Sequence, residues 1–205
     1  MDALSGKDLL DAVSRETYEK LQVYHGLLLK WQRVKNLISR NSTDDIWERH
    51  FRDSAQLLEE GSDGDVWADL GSGGGFPGLV IAILLLEFRP TATVHLIDSD
   101  HRKCAFLREV SRETGARTVV HCARIEDVIP DLDDIHIVSA RALASLNKLI
   151  EFSMPLLEKG AKGLFLKGQD VERELLEMPK YSMLDVRLKK SKTDPDGRIV
   201  IVKHC

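Results

Sequence analysis

The sequence predicts an α/β fold: a mostly parallel sheet of seven strands with helices on both faces, an antiparallel last strand, and an N-terminal helical extension. Three observations carry that reading. From Val66 onward, short apolar runs alternate with helical segments. The last two runs are separated only by Lys189 to Arg198, whose Asp194-Pro195-Asp196-Gly197 is a hairpin signal. Before Val66 the periodicity is helical, with no strand pattern. The expected division is an extension over residues 1–60 and a ligand-binding α/β domain over 61–205.

In chain order, a short helix is expected around Lys7 to Val13. Ser14 then caps a long amphipathic helix to about Val34, with Tyr18, Leu21, Tyr24, Leu28 and Trp31 at three- and four-residue steps. Asn36 to Ser42 reads as a connection. Thr43 caps a second helix through about Glu59, with Asp44 and Asp45 in its first turn and Trp47, Phe51, Ser54 and Leu58 on one side. Gly61-Ser62-Asp63-Gly64-Asp65 turns the chain into the sheet. The predicted strands are Val66–Leu70, Thr93–Ile97, Thr118–Cys122, Ile135–Ala140, Gly163–Leu166, Met183–Leu188 and Ile199–Val202. The predicted helices between them are Gly78–Leu86, Arg102–Thr114, Leu146–Leu157 and Val171–Met178.

A chain of 205 residues is long enough for such a domain to bury a real core. No apolar run is long enough to span a membrane. Met1-Asp2-Ala3-Leu4-Ser5-Gly6-Lys7-Asp8 lacks the basic start and apolar core of a signal peptide, so a cytoplasmic protein is expected. Cys104, Cys122 and Cys205 are scattered and odd in number, which fits reduced thiols; no metal site is expected. The formal net charge of -4 counts mildly against nucleic acid as partner, but local patches matter more than the sum. Lys30, Arg33, Lys35, Arg40, Arg49 and Arg52 crowd the extension, with Trp31 and Trp47 among them. Arg187, Lys189, Lys190, Lys192 and Arg198 form a second group. Basic groups bind phosphates and aromatic rings stack on unpaired bases, although both tryptophans read better as core.

The chemistry centres on Asp69-Leu70-Gly71-Ser72-Gly73-Gly74-Gly75-Phe76-Pro77-Gly78, set between a buried strand and a buried helix. Gly71, Gly73 and Gly75 remove the Cβ atoms that would block a ligand, and they tolerate positive φ. The helix start adds backbone N–H groups and partial positive charge. A dinucleotide fingerprint needs its third glycine where Phe76 stands. The acidic-x-G-x-G-x-G pattern resembles instead the first motif of S-adenosylmethionine-dependent methyltransferases with a Rossmann-like sheet. Asp69 is placed to accept from the loop N–H groups or to reach a ligand ammonium through water. Asp98 ends the second strand, where a carboxylate accepts both hydroxyls of a ribose; its other reading is a cap for the helix that starts at Asp100. After the third strand, Ile125 is placed to pack on an adenine face while Glu126 or the backbone reads its edge. At the end of the fourth strand there is neither an Asn or Asp with two prolines and an aromatic, as enzymes methylating exocyclic amines have, nor a cysteine nucleophile. Arg141 stands there instead, suited to a phosphate, to the cofactor carboxylate, or to an ion pair.

Further segments join these in one order: Asn36-Leu37-Ile38-Ser39, Arg49-His50-Phe51-Arg52-Asp53-Ser54, Leu96-Ile97-Asp98, Lys103 with Phe106-Leu107, Arg124-Ile125-Glu126, Ser139-Ala140-Arg141-Ala142 and Leu166-Lys167-Gly168. Together they resemble the bacterial ribosomal small-subunit methyltransferase G family, also called glucose-inhibited division protein B. The likeness runs from about Leu21 to Val202. It implies a class I methyltransferase domain and methyl transfer from S-adenosyl-L-methionine to N7 of one guanine in 16S rRNA. It implies cofactor contacts from Gly71, Phe76, Ile125, Glu126 and Arg141, to which the glycine turn and strand end add Gly73 and Asp98. Asn36, His50 and Lys167 are motif positions expected at the RNA; His50 is equally suited to packing the extension onto the sheet. Guanine N7 carries a lone pair and no proton, so no acid, base or nucleophile is assigned, and catalysis rests on positioning. The expected partner is 16S rRNA or the small ribosomal subunit, with a monomer expected. The other readings are a methyltransferase on a non-RNA substrate, a non-catalytic nucleotide-binding module and, least favoured, a nicotinamide oxidoreductase.

Overall fold

The computed structural model describes residues 9–39, 45–177 and 182–205. Strands β1 (Val66–Leu70), β2 (Thr93–Asp98), β3 (Thr118–Cys122), β4 (Ile137–Arg141), β5 (Lys162–Lys167), β6 (Leu184–Lys190) and β7 (Arg198–His204) form one sheet in the order 3-2-1-4-5-7-6. The first five are parallel, and β7 runs antiparallel to both β5 and β6. Every predicted strand is present with ends shifted by two residues at most. The expected start at Ile135 moves to Ile137, although His136 already donates its N–H to the Val66 carbonyl. β1 pairs with both β2 and β4, so the strand order reverses at β1, and the crevice beyond its carboxyl end is the natural ligand site.

On one face lie α5 (Gly78–Phe88) and α6 (His101–Thr114); on the other lie α7 (Ile125–Val128), α8 (Leu146–Leu157) and α9 (Val171–Glu177). Met178, the expected end of α9, lies outside the described residues. α5 is buried on every side from Gly78 to Leu85, as an all-apolar helix must be. The sheet covers it below. Above it runs α2 (Arg15–Gln32), which packs on α5 and α6. Ser14 caps α2 by accepting from the Thr17 N–H, and its own N–H and hydroxyl reach Glu87 at the far end of α5. Leu21, Tyr24 and Leu28 are fully buried in the same core as Leu79, Phe106 and Leu164. Each contributes roughly 1.5–3 kcal/mol, so the extension is bound to the sheet by one continuous core.

The N-terminal helix appears as α1 (Leu9–Ala12); Lys7 lies outside the described residues. The second predicted helix is corrected. Thr43 and Asp44 also lie outside, and the described segment is not one regular helix. Trp47–Arg52 is π-helical, followed by α3 (Asp53–Ala55) and α4 (Leu57–Glu60) with a break at Gln56. The wider turn stacks Trp47 on Phe51, with ring centroids 4.4 Å apart, and buries His50 beside Phe51. No helix among the described residues is long and apolar enough to cross a membrane.

Candidate cofactor and substrate cleft

The glycine turn after β1 is held from both sides. Gly71, Gly73 and Gly75 all take positive φ, at 66°, 55° and 93°. Ser72 donates its N–H to the Ile97 carbonyl at 2.9 Å, and Gly75 donates to the Ser72 carbonyl at 2.6 Å. Asp69 is fully buried behind the turn, accepting from the Ser139 hydroxyl at 2.8 Å and from the Gly78 N–H at 3.2 Å. Burial pushes its carboxyl up to about 7 against those hydrogen bonds. Asp69 therefore takes the bracing role of the two expected for it. From the extension, the buried Tyr24 hydroxyl donates to the Gly74 carbonyl at 2.5 Å. Tyr24→Phe is expected to cost about 1–3 kcal/mol of stability, because it leaves that carbonyl buried without a partner; chemical denaturation measures it.

Beyond the turn, two adjoining cavities share Gly71, Lys103 and Ala142. One, of about 400 Å³, is lined by Asp98, Ile125, Glu126 and Leu143. The other, of about 680 Å³, is lined by His50, Gly73, Phe76, Arg141 and the tip of the β6–β7 hairpin. All seven residues expected at the cofactor thus line one or other of these two adjoining cavities, with Gly71 on both. Asp98 accepts from the Gly73 N–H at 2.9 Å and from the Asp100 N–H at 2.8 Å. Asp100, not Asp98, caps α6, accepting from the N–H groups of Arg102 and Lys103. A Cβ on Gly73 would meet nothing nearer than the Gly71 carbonyl at 3.6 Å, so it would stand in the open cleft. A bare backbone cradle, a carboxylate at the strand end and an arginine opposite form a donor and acceptor set that fits a nucleoside carrying an amino acid.

His50 is buried, and its ring stacks on Phe76 with centroids 4.8 Å apart. Neither ring nitrogen has a hydrogen-bond partner. Burial, then the Arg141 and Arg49 charges, push it down to about 3, so it is neutral at physiological pH. It both packs the extension against the turn and faces the larger cavity. Its unfolded form binds a proton near pH 6.5 and the folded form resists doing so. The stability from this group is therefore full above pH 6.5 and lost as pH falls toward 3. His50→Gln is expected to flatten the acid side of the stability profile between those limits, as read by denaturation at stepped pH.

The remaining RNA candidates are placed differently. Lys167 lines an adjoining cavity of about 250 Å³ with Arg141 and Arg198. Its ammonium is committed to the Ala144 carbonyl at 3.0 Å and to Glu174 at 2.9 Å, tying β5 to the start of α8. Asn36 is exposed in the turn after α2 and is not among the cleft-lining residues. The basic groups are largely paired. Lys189 and Lys192 meet Glu60 and Glu59, both at 2.5 Å, fastening the hairpin to the extension. Arg187 pairs with Asp185, Arg198 with Glu172, Lys35 with Asp100 and Arg52 with Asp11. Arg40 lies outside the described residues. Trp31 and Trp47 pack against the core as expected, with the Trp31 Nε1 donating to Glu109 at 2.8 Å. Three contributors had no role assigned from sequence: the Tyr24 hydroxyl, Asp53 beside Arg141, and the hairpin tip, where Thr193, Asp194 and Pro195 wall the larger cavity.

Comparison with solved structures agrees with this architecture. The cofactor-bound structure of Rv0187 from MTB superposes with a TM-score of 0.65 at 14% identity, covering 98% of this chain and 92% of that one. An O-methyltransferase from Bacillus cereus in complex with SAH gives 0.61 at 12% identity, covering 98% and 94%. These likenesses show the Rossmann-like methyltransferase fold. Sequence similarity goes further. Ribosomal RNA small subunit methyltransferase G of Bradyrhizobium sp. (strain BTAi1) is 48% identical over 194 residues, 94% of this chain and 87% of the relative. The protein of the same name from Parvibaculum lavamentivorans is 47% identical over 195 residues, 95% and 86% of the two chains. The family model for rRNA small subunit methyltransferase G matches residues 17–195, from the first turn of α2 to the hairpin tip, and the chain belongs to that family.

Proposed function

We propose that this chain transfers the methyl group of S-adenosyl-L-methionine to N7 of one guanine in 16S rRNA, as a soluble cytoplasmic enzyme. The observation that carries the reading is the pair of adjoining cavities, with Asp98, Ile125 and Glu126 on the smaller, Gly73 and Arg141 on the larger, Gly71 common to both, and room in the larger for the acceptor. In this reading Asp98 accepts from the ribose hydroxyls, Ile125 and Glu126 hold the adenine, and Arg141 takes the amino-acid carboxylate. The glycine turn lets the backbone approach closely. When bound, S-adenosyl-L-methionine supplies an activated methyl group on a sulfonium centre.

The chain's own work is then binding, orientation and exclusion of water. Guanine N7 has no proton to lose, so no residue need act as a base. The neutral His50 suits that task, since an imidazolium would oppose the positive charge that the guanine gains. Asp69 is sealed behind the turn and takes no part in proton transfer. Labelled S-adenosyl-L-methionine, the purified protein and small subunits from cells lacking the enzyme should yield 7-methylguanine at one 16S site by mass spectrometry. Transfer to another atom, or none despite cofactor binding, would refute the assignment. RNA affinity should fall steeply with salt if the cleft rim engages phosphates.

A further inference from the structure

Asp53 lies where the extension, β4 and the β6–β7 hairpin meet. Its Oδ2 faces Arg141 Nη1 at 3.5 Å. Its Oδ1 accepts from the Thr193 hydroxyl at 2.9 Å, from Gln56 Nε2 at 2.8 Å and from the Ser191 hydroxyl at 3.4 Å. The Gln56 side-chain carbonyl in turn accepts from the Lys192 N–H at 3.0 Å. Three consecutive residues of the hairpin tip are thus tied to this one turn of the extension. The Arg141 pair is different in kind. Nη1 is buried and makes no hydrogen bond, so Asp53 holds the guanidinium by charge without using up its donor.

We propose that Asp53 is a positioning residue: its carboxylate keeps the Arg141 guanidinium at the cleft and also fastens the hairpin tip as the cleft wall. The inference rests on the reading of Arg141 as a cofactor-binding group. A half-buried guanidinium needs a counter-charge, or it turns outward to water. The hydroxyls of Thr193 and Ser191 fill lone pairs of Asp53 that would otherwise be buried unused. One carboxylate therefore links Arg141 on the cleft wall to the tip of the sheet's last hairpin, Oδ2 facing the guanidinium and Oδ1 accepting from the hairpin hydroxyls.

The test is a double-mutant cycle read by calorimetric binding of S-adenosyl-L-methionine, with Asp53→Asn, Arg141→Met and the double variant. Asp53→Asn should weaken binding about tenfold in the wild-type background and by no more than about twofold once Arg141 is methionine. Limited proteolysis gives a second readout. Cleavage within residues 191–197 should be faster in Asp53→Asn and in Thr193→Val than in the wild type. Should Asp53→Asn fail to fold, Asp53→Glu is used in the same cycle; it keeps the charge and should bind more tightly than Arg141→Met. Wild-type affinity in the Asp53 variants, or losses that add in full to Arg141→Met, would overturn the positioning role. A wild-type protein that binds no S-adenosyl-L-methionine would instead overturn the functional reading beneath it.

Discussion

Gly78→Ala should lower the unfolding free energy by roughly 2–4 kcal/mol, a fall in melting temperature of roughly 5–12 °C. A Cβ at Gly78 would stand 2.4 Å from Leu96 Cδ2, 2.6 Å from Asp69 Oδ2 and 2.8 Å from Asp69 Cβ. The leucine methyl can swing aside. Asp69 cannot, because it sits in β1, paired on both sides. α5 must therefore lift from the sheet, and the bond from the Gly78 N–H to the buried carboxylate lengthens or breaks. Gly73→Ala makes the matching control. It places alanine at a φ of 55°, a strain of about 1–2 kcal/mol, but meets no packed neighbour. Its Cβ instead enters the cleft, so cofactor affinity should fall at least about tenfold. Scanning fluorimetry and calorimetry separate the two. If Gly78→Ala melted like the wild type, or Gly73→Ala bound the cofactor normally, the division between packing glycine and cradle glycine would be wrong.

That division was only partly legible in the sequence. The alternation from Val66 onward announced the sheet, because buried parallel strands must be apolar runs and each pair of them needs a crossover long enough for a helix. The glycine turn and Asp98 were legible for the same reason: a backbone cradle needs glycine, and a strand end beside it needs an acceptor. Asp69 shows the limit. Its position suggested either a brace or a ligand contact, and only its complete burial against Ser139 and Gly78 decides for the brace. The π-helical turn at Trp47–Arg52 has no period that a helical stripe would betray, since Trp47 and Phe51 recur four residues apart in either form. Tyr24 read as one member of an apolar stripe; that its hydroxyl would meet the Gly74 carbonyl depends on how α2 crosses α5. The lysines of the last hairpin read as a phosphate patch because their partners, Glu59 and Glu60, lie far away in sequence. Long-range pairing is what one-dimensional patterns leave out.

The same reason makes Arg141 the most informative substitution. Alone at the end of β4, it reads as a phosphate or carboxylate contact with an ion pair as the other reading, and the structure sets it against Asp53 on the wall of the larger cavity. Arg141→Ala is expected to lower kcat/KM for methyl transfer by roughly 10²–10³-fold, the scale set by losing one charged, preorganised donor from a desolvated site. The fold should survive, because Asp53 keeps its bonds from Thr193, Gln56 and Ser191 and does not become an orphaned charge. Burial lowers the Arg141 pKa while Asp53 raises it, so the charge being removed is one that the fold already holds at a cost. The kinetics then discriminate. A higher KM for S-adenosyl-L-methionine with kcat unchanged would assign Arg141 to ground-state binding of the cofactor carboxylate. Equal falls in kcat and kcat/KM would mean that it acts on the aligned reactants, through their orientation or their charge. Arg141→Lys should recover little of either, since an ammonium cannot reproduce the planar fork between Asp53 and the cleft. A variant that unfolds, or one with undiminished transfer, would return Arg141 to the ion-pair role alone.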